Sequence, residues 1–519
     1  MRPNTLRIAQ GGFRCLSWRP SFRNSKIVYQ SYRSFIATPP CREEERKWST
    51  PLAKQLTEAI NTTGPIPLAS YMRMCLTSDI GGYYTGAIET GRDQFGQKGD
   101  FITSPEISQI FGELVGIWFV AEWMSQGRPK QGVELIEVGP GRGTLMDDML
   151  RTMRNFKDMA SSIETVYMVE ASSELRTTQK NLLCGEDAVM TESKIGWHST
   201  SKYSGVPVVW TDSIKAIPQD PSKTPFIVAH EFFDALPIHA FQVVEVPPKQ
   251  QPASTSNNST SSSSSPRTTS HTHQWREMVV SPTPKGTTHA DLKTPKSQQH
   301  EPVPEFQLTL SPSTTHHAQY LPESSPRYRA LRTTPGALIE VCPDASLYAS
   351  DFASRIGGSP SPSQPTTTKP RPSGAALILD YGPSSTIPVN SLRGIRRHRH
   401  VSPLSAPGQV DVSADVDFGA LAASALSASP GVEVHGPVDQ AYFLESMGVR
   451  QRAEMLVRKL GSTGADDEEK KKTVEIEKSW RRLVDRGPGG MGKVYKVLAI
   501  LPENGGRRRP VGFGGDVSA

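Results

Sequence analysis

The chain has 519 residues, 58 Lys and Arg against 52 Asp and Glu, a formal net charge of +6, and only 36% hydrophobic residues beside 43 Pro and 42 Gly. Such usage excludes a uniformly packed protein and leaves much of the length outside any core. The five cysteines (Cys15, Cys41, Cys75, Cys184, Cys342) form no C-x-x-C pair, which argues against a disulfide framework or a cysteine zinc site, and no run reaches the roughly 18 uncharged apolar residues of a membrane span.

Between Met1 and Arg42 stand seven Arg, one Lys and no acid, interleaved with Ser, Thr and aromatics. This composition predicts a mitochondrial presequence and flexible arm over residues 1–46, with Arg33-Ser34-Phe35 as a cleavage neighbourhood; a plain basic tail is the alternative. The positive excess resides in this arm, so general nucleic-acid binding is not expected. Residues 47–130 read as an N-terminal helical extension. Leu52 to Leu76 is helix-patterned, and Thr103-Ser104-Pro105-Glu106 opens a second helix with a hydroxyl cap, Pro and an acid in the first turn. Ile110, Phe111, Leu114, Ile117 and Trp118 then share a face, and Glu113 and Glu122 mark the segment as a buried helix rather than a membrane span.

From residue 131 to 246 short apolar strands (VELIEVG, TVYMVE, VPVVW, PFIVAH) alternate with helical patterns, which predicts an α/β core with a parallel sheet. Residues 247–335 read as a hairpin region, QWREMVV pairing with Phe306 to Leu310, interrupted by the Ser/Thr-rich stretch Ser254 to His273. Residues 336–500 return to the sheet at Ala375 to Tyr381 and finish on KVYKVLAI. A second insert (357–373) and the tail (501–519) complete the segments expected to be disordered, because they bury too little apolar surface to offset ordering entropy.

The stretch Val133 to Leu150, VELIEVGPGRGTLMDDML, runs from strand through Gly139, Gly141 and Gly143 into a helix. Such a turn brings backbone N–H groups and a helix N-terminus to a ligand. Its G-x-G-x-G spacing is not the dinucleotide fingerprint, since Thr144 stands where the third Gly is needed. Glu137 just before it suits a ligand bearing an ammonium or other cationic group, which S-adenosylmethionine does; a plain tight turn is the simpler reading. Glu170 ends the next strand, where it could accept from both ribose hydroxyls, and Asp212 follows the third, placed to accept from an adenine amino group. Each acid could singly be solvated surface. The fourth strand ends in HEFFDALPIHAF, where Glu231 and Asp234 could receive the reacting group of an acceptor; two acids capping a helix N-terminus is the alternative. Paired carboxylates suit a guanidinium, although nothing in composition or spacing selects arginine.

Taken in order, GDFITSPEIS, EVGPGRGTLMDDMLR, YMVEASSELRTTQ, AHEFFDALPIHAFQ, LDYGP, LRGIRRHRH, SPLSAPGQVDVSADVDF and MGKVYKVLAI resemble the MidA-like methyltransferases, from about Pro51 to Ile500 apart from the inserts. The resemblance implies a class I (Rossmann-like) methyltransferase fold and S-adenosyl-L-methionine as donor. For mitochondrial members it implies symmetric dimethylation of an arginine on the iron-sulfur protein 2 subunit of complex I (NADH dehydrogenase), in the matrix, in support of complex I assembly. The rival readings are a non-catalytic assembly chaperone that retains the fold, and a methyltransferase acting on RNA or a small molecule. The sequence does not fix the oligomeric state.

GPGGMGKVYK resembles a kinase glycine loop and a phosphate loop, but too little chain follows for the first, and Val494 replaces the magnesium-binding hydroxyl of the second. RGIRRHRH reads as a solvated or partner-docking basic loop. Asp411, Asp415 and Asp417 could neutralise a basic substrate segment or cap a helix. The histidines at His271, His273 and His316-His317 lie in low-complexity sequence, and no metal site is expected.

Overall fold

The computed structural model describes residues 47–85, 96, 99–246, 272–360, 368–369, 371–461 and 467–514. The expected presequence (1–46), nearly all of the first insert, residues 361–367 and 370 of the second and the last five residues lie outside this set.

The run VELIEV is buried on both faces because helices cover both sides of the sheet it joins, and its two acids, Glu134 and Glu137, are buried with the rest. Nine strands form that main sheet, numbered here in chain order: β1 (Val133–Val138), β2 (Ile163–Val169), β3 (Thr191–Glu192), β4 (Trp197–Thr200), β5 (Pro207–Thr211), β6 (Thr224–His230), β7 (Ala375–Tyr381), β8 (Val432–Asp439) and β9 (Tyr495–Pro502). Their spatial order is β8-β9-β7-β6-β1-β2-β5-β4-β3. Strands β5, β2, β1, β6 and β7 run parallel, while β9 lies antiparallel between β7 and β8. The chain works outward from β1 to β5, then returns to β6 beside β1. A crevice therefore opens at the carboxyl ends of β1 and β6, the place where doubly wound sheets bind ligands. This is the expected class I α/β architecture.

One face of the sheet is covered by the helices Gln109–Ser125 and Thr144–Met153, the other by Pro343–Gly357 and Phe418–Ala428. The first pair approaches closely at Gly112, where an added Cβ would lie 2.5 Å from Asp148 Cβ. Glu113 and Glu122 are buried within this layer but neutralised there. Glu113 meets Arg151 at 3.1 Å and Arg452 at 2.7 Å, and Glu122 meets Arg508 at 3.0 Å. The segment is thus a core helix, and no helix among the described residues is long and apolar enough to cross a membrane.

A second sheet combines Ile66–Pro67, His239–Val246, Thr272–Pro282, Phe306–Leu310 and Leu338–Val341. A small third sheet is made of Arg393–Arg396, Arg399–Val401 and Asp411–Ser413.

Three expectations are corrected. The helix expected over Leu52 to Leu76 is broken by Gly64-Pro65 into Pro51–Thr63 and Leu68–Thr77, and Ile66-Pro67 pairs with Val280 and Val279. The extension 47–130 is therefore divided: its first part packs on the second sheet, and the Gln109–Ser125 helix packs on the main sheet. The helix opened by Thr103 ends after one turn at Ile107, since Ser108 is extended and itself caps the next helix, accepting from Ile110 N–H at 3.4 Å. The tail expected to be disordered from residue 501 is folded down as far as Gly514. Arg508 answers the buried Glu122, Val511 O accepts from Trp118 Nε1 at 3.0 Å, and Phe513 packs beside Trp118 and Phe443. Composition hid these individual anchors.

Candidate active site

A cavity of about 610 Å³ opens at the carboxyl ends of the parallel strands. Glu137, Gly139, Gly141, Glu170, Asp212, Glu231 and Asp234 all line it. Gly143 does not; with φ of +83° it caps the helix Thr144–Met153 just behind the wall.

One half of the cavity is built on the glycine turn. Gly139 and Gly141 hold φ of +66° and +52°, a region costly for residues bearing a Cβ. A Cβ on Gly139 would also lie 2.6 Å from Phe232 Cδ2. Gln179, fully buried, ties the turn to the next strand: its Nε2 donates to Gly141 O at 2.6 Å and to Glu170 Oε2 at 3.2 Å, and its Oε1 accepts from Trp210 Nε1 at 3.0 Å. Glu170 also accepts from Ser172 N–H at 2.8 Å. Burial nevertheless pushes its carboxyl up to about 7. Burial, then the charge of Glu170, drives Glu137 well above the usual carboxylate range, and Glu137 Oε2 has no hydrogen-bond partner. Asp212 differs: its side chain is 74% exposed and paired with Arg176. The turn, a buried acceptor without a partner and a strand-end acid suit a ligand with a cationic group and a ribose, and the residues present therefore fit S-adenosylmethionine.

The other half gathers acids. Glu231 follows β6 with φ of +47°, a strained conformation for a non-glycine residue and one that clusters at functional sites. Its Oε1 lies 3.4 Å from Ser104 N and 3.3 Å from His230 Nε2. His230 is neutral, because burial pushes its imidazole down to about 3. Burial, then the charges of Asp234 and Asp380, holds Glu231 well above its ordinary range. Asp234 Oδ2 accepts from the Tyr381 hydroxyl, while Oδ1 is buried without a partner. Asp380 Oδ2 fixes the intervening turn by accepting from Phe232 N at 3.1 Å and Phe233 N at 2.8 Å. Asp411, pushed up to about 7 by burial and by the charge of Asp234, completes the wall and accepts from the Tyr84 hydroxyl at 3.0 Å.

The three acids of VDVSADVDF are thereby separated. Asp411 enters the cavity, Asp415 pairs with Arg393 at 2.5 Å, and Asp417 caps the Phe418–Ala428 helix, accepting from Ala420 N at 3.0 Å. Sequence reasoning missed Tyr381, Asp380, Arg393 and Gln179. The first two had a usable signal, since LDYGP ends a parallel strand beside β6; Gln179 sits in mid-helix and had none.

A doubly wound sheet with this turn and this row of strand-end acids defines a nucleoside-binding transferase of the class I methyltransferase type. The family described as S-adenosyl-L-methionine-dependent methyltransferases matches residues 114–438. The chain is similar to "Protein arginine methyltransferase NDUFAF7, mitochondrial" of Rattus norvegicus, 33% identical with 87% of this chain and 85% of that protein covered. It is likewise similar to the Homo sapiens protein of that name, 32% identical with 88% and 86% covered, and to the Drosophila melanogaster homolog, 34% identical with 87% and 85% covered. In structure it resembles a COG1565 superfamily member from Burkholderia thailandensis bound to S-adenosyl-homocysteine, with TM-score 0.58, 20% identity and coverage of 89% and 92%. The chain belongs to the MidA-like family of S-adenosyl-L-methionine-dependent methyltransferases, and its methyl donor is S-adenosyl-L-methionine.

Proposed function

We propose that the chain is a protein arginine methyltransferase that symmetrically dimethylates an arginine of the complex I iron-sulfur protein 2 subunit in the mitochondrial matrix, in support of complex I assembly. The observation that carries the arginine reading is the convergence of Glu231, Asp234 and Asp411 on one side of the cavity, with Asp234 Oδ1 unpartnered. Arg393 offsets part of the charge of Asp234 and Asp411, but buried acids in excess of their cations are costly, and a guanidinium supplies charge and planar donors together. The mitochondrial arginine methyltransferase names of the relatives support the same reading.

In this reading Glu170 accepts the donor's ribose hydroxyls, Glu137 faces its cationic amino-acid end, Asp212 lies toward the base, and Gly139 and Gly141 allow the backbone to approach. When bound, the donor supplies an electrophilic methyl group on a sulfonium. Glu231 and Asp234 hold the guanidinium so that its positive charge is drawn to the nitrogens they contact and one nitrogen is left to face the methyl. They can also take the proton that the methylated nitrogen releases. Catalysis is then mainly positioning and electrostatics.

Incubation with labelled donor and the iron-sulfur protein 2 subunit tests this. One arginine should be labelled, and symmetric dimethylarginine should appear on hydrolysis. Labelling only of RNA or a metabolite would overturn the substrate assignment. If Glu231→Gln with Asp234→Asn abolishes labelling while still supporting complex I assembly, the chaperone reading replaces this one.

A further inference from the structure

A second cluster lies outside the cavity, in the second sheet. His239 and Glu277 stand on adjacent antiparallel strands, with Phe241 opposite Glu277, and His317 reaches them from the short helix His316–Tyr320. His239 Nδ1 lies 2.7 Å from Glu277 Oε1, and His317 Nδ1 lies 3.4 Å from Glu277 Oε2. The two imidazole rings are 4.4 Å apart between centroids. Glu277 is wholly buried, and its Oε2 has no hydrogen bond of good geometry, with the Thr315 hydroxyl nearby.

Hydrogen bonding accounts for half of this arrangement. His239 satisfies one carboxylate oxygen, but the second imidazole is brought to the other oxygen without making a bond. One atom from each residue lies within 4.8 Å of the others. Ligands about 2.0–2.2 Å from a tetrahedral ion stand roughly 3.3 Å apart, so small side-chain rotations bring all three into coordination. His317 is 35% exposed, which leaves a side open for water. Two imidazoles disfavour calcium and magnesium, which take oxygen ligands, and favour a borderline transition ion.

We propose that His239, Glu277 and His317 form a binding site for a divalent transition-metal ion of the zinc class, completed by water, that ties the His316–Tyr320 helix to the second sheet. The pattern was invisible in sequence because its ligands are separated by 38 and 40 positions and His317 sits in Ser/Thr-rich surroundings.

The test uses the full chain, loaded with zinc, dialysed against metal-free buffer and analysed for metal content, with cobalt loading followed by visible absorption. The proposal expects about one zinc per chain and the intense bands of tetrahedral cobalt. His317→Ala, a partly exposed position, should weaken zinc binding by roughly 100-fold or more, since even outer-shell changes cost 10- to 100-fold. Glu277→Gln should do the same, with circular dichroism verifying the fold of each variant. Absence of retained zinc and of cobalt bands in the folded protein overturns the proposal. So does zinc retention in folded His317→Ala equal to that of the parent chain.

Discussion

The Tyr381 hydroxyl donates to Asp234 Oδ2 across the floor of the cavity, joining the last residue of β7 to the turn after β6. The same ring carries the Arg393 guanidinium 4.3 Å from its centroid, and its oxygen lies 2.9 Å from Ser413 Oγ. Burial raises the Asp234 carboxyl, and this hydroxyl opposes the rise. Tyr381→Phe should therefore raise it further and cut turnover by about 10- to 100-fold, in keeping with one charge-assisted hydrogen bond of about 1.5–3 kcal/mol. If ionised Asp234 is the working form, the acidic limb of the pH–rate profile moves to higher pH. A profile identical to that of the parent chain would remove Tyr381 from the chemistry.

Glu231→Gln and Asp234→Asn, made singly, should each abolish most methyl transfer while leaving donor affinity nearly unchanged, because both residues lie on the side of the cavity we propose for the acceptor. Calorimetric titration with S-adenosyl-L-methionine alongside a labelling assay separates the two effects. Loss of donor binding in both variants would contradict the division of the cavity into halves.

Glu170→Ala should weaken donor binding by about tenfold or more, from loss of charge-assisted hydrogen bonds of about 1.5–3 kcal/mol each. Its carboxyl, pushed up to about 7 from an ordinary 4.5, also makes a pH prediction. Between those values the folded state holds a proton that the unfolded state has lost, so this group's contribution to stability falls as pH rises through the window. Thermal unfolding midpoints should decline from about pH 5 to about pH 8, and Glu170→Gln should flatten the decline. Donor affinity should move the opposite way, strengthening as Glu170 ionises. An unaltered slope in Glu170→Gln would mean that Glu170 titrates normally.

The sheet and much of the donor side were legible because they depend on local patterns. Strands such as VPVVW announce themselves by continuous apolarity, and Gly139, Gly141, Glu137 and Glu170 lie at fixed offsets from strand ends. The acceptor side was half legible. Glu231 and Asp234 follow a strand, but Asp380, Tyr381 and Asp411 reach them only through β7 and the third sheet, contacts about 150 to 180 residues away in sequence. The divided N-terminal extension was missed at Gly64-Pro65, although a helix breaker stood in view. The His239, Glu277 and His317 cluster could not be read at all, because it depends on the register of two strands and the docking of a short helix.

The folding-down of the tail makes the last prediction. Glu122 is fully buried, and both its oxygens are met by Arg508, whose side chain is 36% exposed. Removing one partner of a buried pair leaves an uncompensated charge, which costs about 3–5 kcal/mol in closed sites and less where water reaches the cation. Arg508→Ala should therefore destabilise the chain by about 2 kcal/mol, and deletion of residues 507–519 by more, since Val511 and Phe513 leave Trp118 as well. Adding Glu122→Gln to Arg508→Ala should recover part of the loss by removing the stranded charge. Denaturant unfolding of the three variants measures this, and a tail deletion as stable as the full chain would mean that Glu122 finds its counter-charge elsewhere.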